Sequence, residues 1–217
     1  MLERNIHTYS IKEQLALHKA NAVVLGCGGG GCTMAETLCR SGVGNITLVD
    51  FDTFEDSNKN RQLGALTSTI GKPKVEVMAA RLKDINPDCH VTYVYDRIGK
   101  HNYKELLQDK DIILDAVDMY KNKKQVNNFV RYLKLVYTTG GLGGYNFWCA
   151  TLKDKDIDAI LDNDDSNICY PCASSVIMQG ALQAQQGINY YLRRNQNCLD
   201  KIINVNIINL AMSVEDI

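Results

Sequence analysis

The stretch from Ala22 to Gln62 constrains the fold more than any other part of the chain. Ala22-Val23-Val24-Leu25 is an apolar run short enough to be a buried strand, and Gly26-Cys27-Gly28-Gly29-Gly30-Gly31 follows at once. A helical pattern then runs from Cys32 to Ser41, and a second strand, Asn45-Ile46-Thr47-Leu48-Val49, stops at Asp50. Strand, glycine turn, helix and acid-ended strand make up the nucleotide-binding βαβ unit. Glycines let the backbone turn tightly and approach a ligand closely. Free N–H groups at the helix start face phosphates. Asp50 stands about twenty residues past the glycines, where a carboxylate reaches a ribose hydroxyl. By itself the unit fits a dinucleotide site, a mononucleotide site or tight helix–strand packing.

The residues that follow favour a triphosphate. Asp50-Phe51-Asp52 leads into Ser57-Asn58-Lys59-Asn60-Arg61-Gln62 and then Gly71-Lys72-Pro73-Lys74-Val75-Glu76. A dehydrogenase has no need of an Asn, an Arg and a Lys converging just after its second strand. Residues 51 to 71 also form a loop-rich stretch of a length that usually carries function.

The remaining pattern predicts one α/β domain over 1–217. A polar N-terminal segment, 1–20, leads into a helix. Lys74 to Ile85 places Val75, Met78, Ala79, Leu82 and Ile85 at helical spacing, and Asn86-Pro87 ends it. Strands are expected at His90 to Tyr95, 111–116, Leu135 to Thr139 and 145–152, with helices at Lys104 to Leu107 and 121–134 between them. Gly140 to Gly144 reads as a strand-end turn or a substrate-facing one. Residues 153–172 read as an exposed loop, and 173–217 as a helix, Ala173 to Leu192, and a strand, Ile202 to Leu210. Alternating strands and helices imply a doubly wound, mostly parallel sheet of Rossmann type with a nucleotide site at the strand C-terminal ends.

The chain's 217 residues are enough to bury a substantial core. A net charge of -1 argues against a broad basic nucleic-acid face. No apolar run approaches bilayer length, and the polar start lacks a signal-peptide core, so the expected compartment is the cytoplasm. Without a signal, the eight cysteines are not expected to form a disulfide framework. Cys27, Cys32, Cys39, Cys89 and Cys149 read as small core residues.

From Gly26 to Pro87 the chain resembles the ThiF/MoeB/HesA family, relatives of the ubiquitin-activating enzymes. Gly26-x-Gly28-Gly29-x-Gly31, Ser41-Gly-Val-Gly, Asp50-Phe-Asp52, Ser57-Asn58-x-x-Arg61-Gln62, Gly71-x-x-Lys74 and Ile85-Asn-Pro87 occur in family order, and Leu114-Asp-Ala-Val-Asp118 resembles the family's acidic strand end. The resemblance implies adenylation of a carboxylate with ATP and magnesium. It gives the phosphate turn to Gly26, Gly28, Gly29 and Gly31, the ribose to Asp50, and the triphosphate to Asn58, Arg61 and Lys74. Asp118 would stand near phosphates and magnesium, or cap the helix that follows. Gln62 joins the nucleotide-binding set, and Asp52 is structural or supporting. Two departures stand out: many relatives carry Asn or Ser after Asp118 and Arg a few residues later, where this chain has Met119 and Lys123.

The same resemblance implies a homodimer in which Arg4 reaches the partner's phosphates. Val176, Ile177, Gly180, Ala181, Ala184, Gly187 and Ile188 offer a packable stripe for a partner or for the chain's own sheet. Many relatives bind structural zinc with two Cys-x-x-Cys pairs. Only Cys169-Tyr-Pro-Cys172 is present here, so no stoichiometric zinc is expected. Cys172 or Cys169 is a possible nucleophile, since family members that form thioesters or persulfides use a cysteine in this region; the pair can equally be structural. The expected acceptor is the C-terminal glycine of a small ubiquitin-like sulfur carrier. The alternatives are threonylcarbamoyladenosine in tRNA, whose dehydratases resemble residues 60–66, 74–79 and 138–144, and a non-catalytic nucleotide-binding subunit.

Overall fold

Alternation along the first strand decides the layering. In a computed structural model, which describes residues 3–161, 171–194 and 198–217, β1 (Asn21–Leu25) turns Ala22 and Val24 into one core and Val23 and Leu25 into another. A strand buried on both faces belongs in the middle of a sheet that is covered twice. β1 lies there, parallel to β2 (Asn45–Val49) on one side and to β4 (Ile112–Asp115) on the other. β3 (His90–Val94) flanks β2 and β5 (Tyr137–Gly143) flanks β4, both parallel. β6 (Asn146–Leu152), β7 (Lys201–Asn206) and β8 (Ala211–Asp216) extend the sheet antiparallel, in the order β3-β2-β1-β4-β5-β6-β7-β8. The strand order reverses between β1 and β4, so the crevice for a ligand opens at their C-terminal ends.

The helices divide between the two faces, as the doubly wound reading requires. α1 (Ile11–Lys19) starts from a reciprocal Ser10–Glu13 capping box. With α2 (Gly29–Ser41), α3 (Lys74–Ile85) and α6 (Ala173–Tyr191) it covers one face, packing Leu17, Met34, Leu38, Met78, Leu82 and Ile188 together. α4 (Tyr103–Leu107) and α5 (Tyr120–Tyr132) cover the other with Leu107, Val126, Phe129 and Val130. Tyr103 stacks on Phe129 at 4.3 Å between ring centroids. Each such buried apolar side chain contributes about 1.5–3 kcal/mol. Cys27, Cys32, Cys39, Cys89 and Cys149 are buried free thiols in this interior.

Four expectations change. α2 begins at Gly29 rather than Cys32, so three glycines form its first turn. β5 runs through Gly143, so the glycines after Thr139 are strand; a Cβ on Gly140 would collide with the amides of Gln179 and Gln183. The C-terminal strand is a hairpin of β7 and β8, because Asn206 Oδ1 accepts the N–H groups of Ile208 (2.9 Å) and Asn209 (3.2 Å) and turns the chain. Of the two uses open to the small-residue stripe of α6, Gly180, Ala184, Gly187 and Ile188 pack within the chain, while Ile177 stays exposed. A Cβ on Gly180 would strike the Gly30 carbonyl and Thr33, and one on Gly187 would press on Ile112 and Leu114. Gln179, Gln183 and Gln186 are buried as well.

Residues 153–161 are not simply an exposed loop. Ile157 is fully buried in a 3-10 turn, Ile157–Ala159. Lys124 on α5 holds Asp156 (2.7 Å) and Asp158 (2.5 Å), and Arg131 pairs with Asp156. Residues 162–170 lie outside the described residues. Among the described residues no helix is long and apolar enough to cross a membrane.

Candidate functional site

Glycine chemistry shapes the crevice. Gly26 takes a φ of 96°, a left-handed conformation that suits glycine, and its N–H donates to Val49 O at 2.7 Å. α2 then folds back so closely that a Cβ on Gly31 would collide with the Gly26 carbonyl. Gly28 precedes the helix in extended conformation, and a Cβ there would meet nothing within 4 Å. A ligand can therefore approach this backbone, and the first-turn N–H groups of α2 have no intrahelical acceptor.

Asp50 braces the turn. Its carboxylate, 8% exposed, accepts the Cys27 N–H at 2.5 Å and the Asp52 N–H at 2.9 Å. Further lone pairs remain for a ribose hydroxyl. Burial pushes the Cys27 and Cys32 thiols up, Cys32 to about 12. These thiols are packing, not nucleophiles.

The cationic loop lies against the same turn. The Arg61 carbonyl stands 3.3 Å from the position of a Cβ on Gly29. Arg61 Nη1 donates to Ser57 O (3.1 Å) and Asn60 Oδ1 (2.7 Å). Asn58 is buried, accepting the Glu55 N–H and donating to Ser57 Oγ, both at 3.2 Å. Gln62 follows, and its buried Oε1 has no hydrogen-bond partner among the described residues. Such an oxygen fits a hydroxyl or amino donor of a ligand. Lys74, the first residue of α3, is buried; its Nζ is 2.6 Å from Asp52 Oδ2 and 5.9 Å from the Phe54 ring centroid. Burial acts to raise the Asp52 carboxyl, but hydrogen bonds from Lys74 and the Thr53 N–H outweigh it and hold the group below the ordinary carboxylate range.

Asp118 stands in the turn after β4. The Ala116 carbonyl of that turn is 2.8 Å from where a Cβ on Gly26 would be. α5 starts at Tyr120 with Met119 before it and no side-chain cap, so Asp118 does not cap the helix. Its carboxylate is exposed and makes no side-chain hydrogen bond among the described residues. Cys172 precedes α6 one turn before Val176, whose side chain occupies the space a Cβ on Gly29 would need. Its Sγ lies 3.1 Å from Ser174 Oγ and 3.4 Å from Ser175 Oγ, and these hydroxyls lower its pKa to about 7. Cys169 lies outside the described residues.

Other groups were not anticipated. Asp115, Lys123, Thr139 and Gln183 form a buried polar cluster beneath Asp118. Arg97 lies 3.5 Å above the Phe51 ring, beside Asp52. The alternation of Gln with small residues on α6 was the one available signal for the cluster.

Comparison with known proteins assigns the chain to a family. A model of the ThiF family matches residues 2–214. The chain belongs to the ThiF family. Among curated relatives, the tRNA threonylcarbamoyladenosine dehydratase of Haemophilus influenzae is 42% identical over 130 residues, covering 59% of this chain and 50% of that protein. The molybdopterin-synthase adenylyltransferase of Escherichia coli is 31% identical over 169 residues, covering 78% and 64%. The chain thus spans about half the length of the dehydratases it matches. The crystal structure of the E. coli tRNA N6-threonylcarbamoyladenosine dehydratase in complex with AMP has a TM-score of 0.76 at 23% identity, covering 88% of this chain and 93% of that one. E. coli MccB with ATP has a TM-score of 0.81 at 22% identity, covering 94% and 65%. At these identities the two structures establish the shared fold.

Proposed function

We propose that this ThiF-family chain adenylates a carboxylate with ATP. The observation that supports the reading is the open Gly28 backbone before α2, with the Arg61 backbone packed against Gly29 and Lys74 held by Asp52. A triphosphate needs such a place: N–H groups at the helix start, two fixed cations, and a buried acceptor, Gln62 Oε1, for a nucleoside donor. ATP supplies the α-phosphorus that a carboxylate oxygen attacks as pyrophosphate leaves; Asp118 would hold magnesium, which would offset negative charge on the phosphates. The chain's own part is positional. Gly26, Gly28, Gly29 and Gly31 shape the phosphate turn, Asp50 fixes it and meets the ribose, and Asn58 and Asp52 hold the loop and Lys74. Arg61 and Lys74 face charge that builds on the transferring and leaving oxygens.

The acceptor is the finer part of the proposal. Identity of 42% to a tRNA threonylcarbamoyladenosine dehydratase, against 31% to a molybdopterin-synthase adenylyltransferase, favours the modified tRNA nucleoside. The C-terminal glycine of a small sulfur-carrier protein is the second reading, supported by the longer alignment, 78% of the chain against 59%. ATP–pyrophosphate exchange with each acceptor added separately tests both. Exchange with one acceptor assigns it. Nucleotide binding without exchange in either arm would leave a non-catalytic nucleotide-binding subunit and refute adenylation.

A further inference from the structure

β4 ends in a buried polar cluster that nucleotide binding does not account for. One Asp115 carboxylate oxygen accepts the Val117 N–H at 3.0 Å. The other accepts the Thr139 hydroxyl at 2.7 Å and the Lys123 ammonium at 3.3 Å. Lys123 is 6% exposed and also reaches Thr139 Oγ1 at 3.4 Å. The Asp115 carbonyl accepts Gln183 Nε2 at 2.8 Å, tying α6 to the same point. Two buried charges are seldom the most stable way to fill such a volume, since apolar side chains often do as well or better. Stability does not explain the pair.

The turn above the cluster offers an explanation. Residues 116–119 connect β4 to α5 and end at Met119, with φ 68° and ψ 137°. A non-glycine residue keeps such a conformation only where its surroundings impose it. Here Asp115 holds the Val117 N–H from below. The Met119 carbonyl receives the N–H groups of Asn122 (3.2 Å) and Lys123 (3.1 Å), and the Asp118 carbonyl receives Asn122 Nδ2 (2.9 Å). Lys123 closes the circuit, its backbone on Met119 and its ammonium on Asp115.

We propose that Lys123 is a positioning residue: paired with Asp115, it fixes the 116–119 turn and so aims the Asp118 carboxylate into the crevice. The inference rests on the adenylation reading, because aiming Asp118 matters only if phosphate and magnesium come to it. It also gives Lys123 a task of its own, separate from contact with ATP.

The test compares Lys123→Met, the charge-balanced Lys123→Met/Asp115→Asn, and Thr139→Val, which keeps both charges. Three quantities are read: melting temperature without nucleotide, AMP affinity by calorimetry, and ATP–pyrophosphate exchange resolved into kcat and KM. Lys123→Met should melt lower, because it strands a buried carboxylate, and the double variant should recover most of that loss. AMP affinity and KM for ATP should stay within about twofold of wild type, while kcat stays about tenfold or more down in both, as expected when a reacting group is misplaced rather than lost. Thr139→Val, which removes one donor but keeps the ion pair, should lower the melting temperature less than Lys123→Met and kcat several-fold, which keeps the test decisive if Lys123→Met does not fold. Wild-type kcat in the double variant or in Thr139→Val, or a loss confined to KM, would overturn the positioning role alone. A wild-type chain that binds AMP but exchanges with no acceptor would overturn the adenylation reading and this inference with it.

Discussion

Asp118 and Lys74 serve one proposed reaction from opposite environments. The Asp118 carboxylate is exposed and free of side-chain hydrogen bonds among the described residues, whereas Lys74 is buried on Asp52. Asp118→Ala should therefore leave the melting temperature nearly unchanged while lowering pyrophosphate exchange about a hundredfold, the usual cost of one preorganised electrostatic group. Thermal denaturation and exchange on the same preparation check the split. Cys172 yields a pH prediction. The Ser174 and Ser175 hydroxyls hold its pKa at about 7, so the thiolate forms as pH rises through 7. Alkylation by iodoacetamide, followed by mass spectrometry, should show a midpoint near that pH, and Ser174→Ala with Ser175→Ala should move it upward. A midpoint at the ordinary cysteine value of about 8.5 would remove Cys172 as a nucleophile.

At the scale of elements, α2 and α6 interlock through missing side chains. Gly180 lies against the Gly30 carbonyl and Thr33, and Val176 fills the space beside Gly29. Gly180→Leu should part the helices and cost about 1–3 kcal/mol, as overpacking generally does. Because the displaced helix also supports the phosphate turn, AMP affinity measured by calorimetry should fall with it. The same contacts show what was legible beforehand. The order of strands and helices was readable because apolar spacing directly reflects which face is buried, and the candidate glycine, Asn, Arg and Lys set could be proposed because its motifs are local. The first turn of α2 was not: glycine is a poor helix former, and it is helical here because only glycine fits against Gly26. The burial of Gln183 and Gln186 could not be read from the sequence, because their partners lie on β4, β5 and β6, far away in sequence. The role of Lys123 as the partner of Asp115 was missed because Thr139 and Gln183, which complete their cluster, lie on β5 and α6.

At the scale of the whole molecule, the position of Arg4 limits what it can do. Asn5 Nδ2 donates to Arg40 O at 2.8 Å, which places the segment beside the C-terminal end of α2. The phosphate turn is at the other end of that helix, 13 residues or about 20 Å away. Arg4 can serve a nucleotide only in a partner chain, and Gly180, Ala184 and Gly187 of α6 are already packed within their own chain. A homodimer that uses Arg4 would have to form without those glycines. Arg4→Ala should abolish exchange without unfolding the chain, and mixing it with Asp118→Ala protein should restore part of the activity. Sedimentation as a monomer at micromolar concentration, or no recovery in the mixture, would rule the arrangement out.

The α6 contacts with Gly29 and Gly30 also set an order in time. A ribosome releases the glycine turn early, but the side chains that seat it, Val176 and Gln179, leave far later. Even the central pairing of β1 with β4 waits for residues some 90 positions on. An unfinished chain thus carries its phosphate-binding sequence without the means to shape it. On the adenylation reading, the glycine turn takes its nucleotide-competent shape only after residues 176–179 have been made and can pack against it.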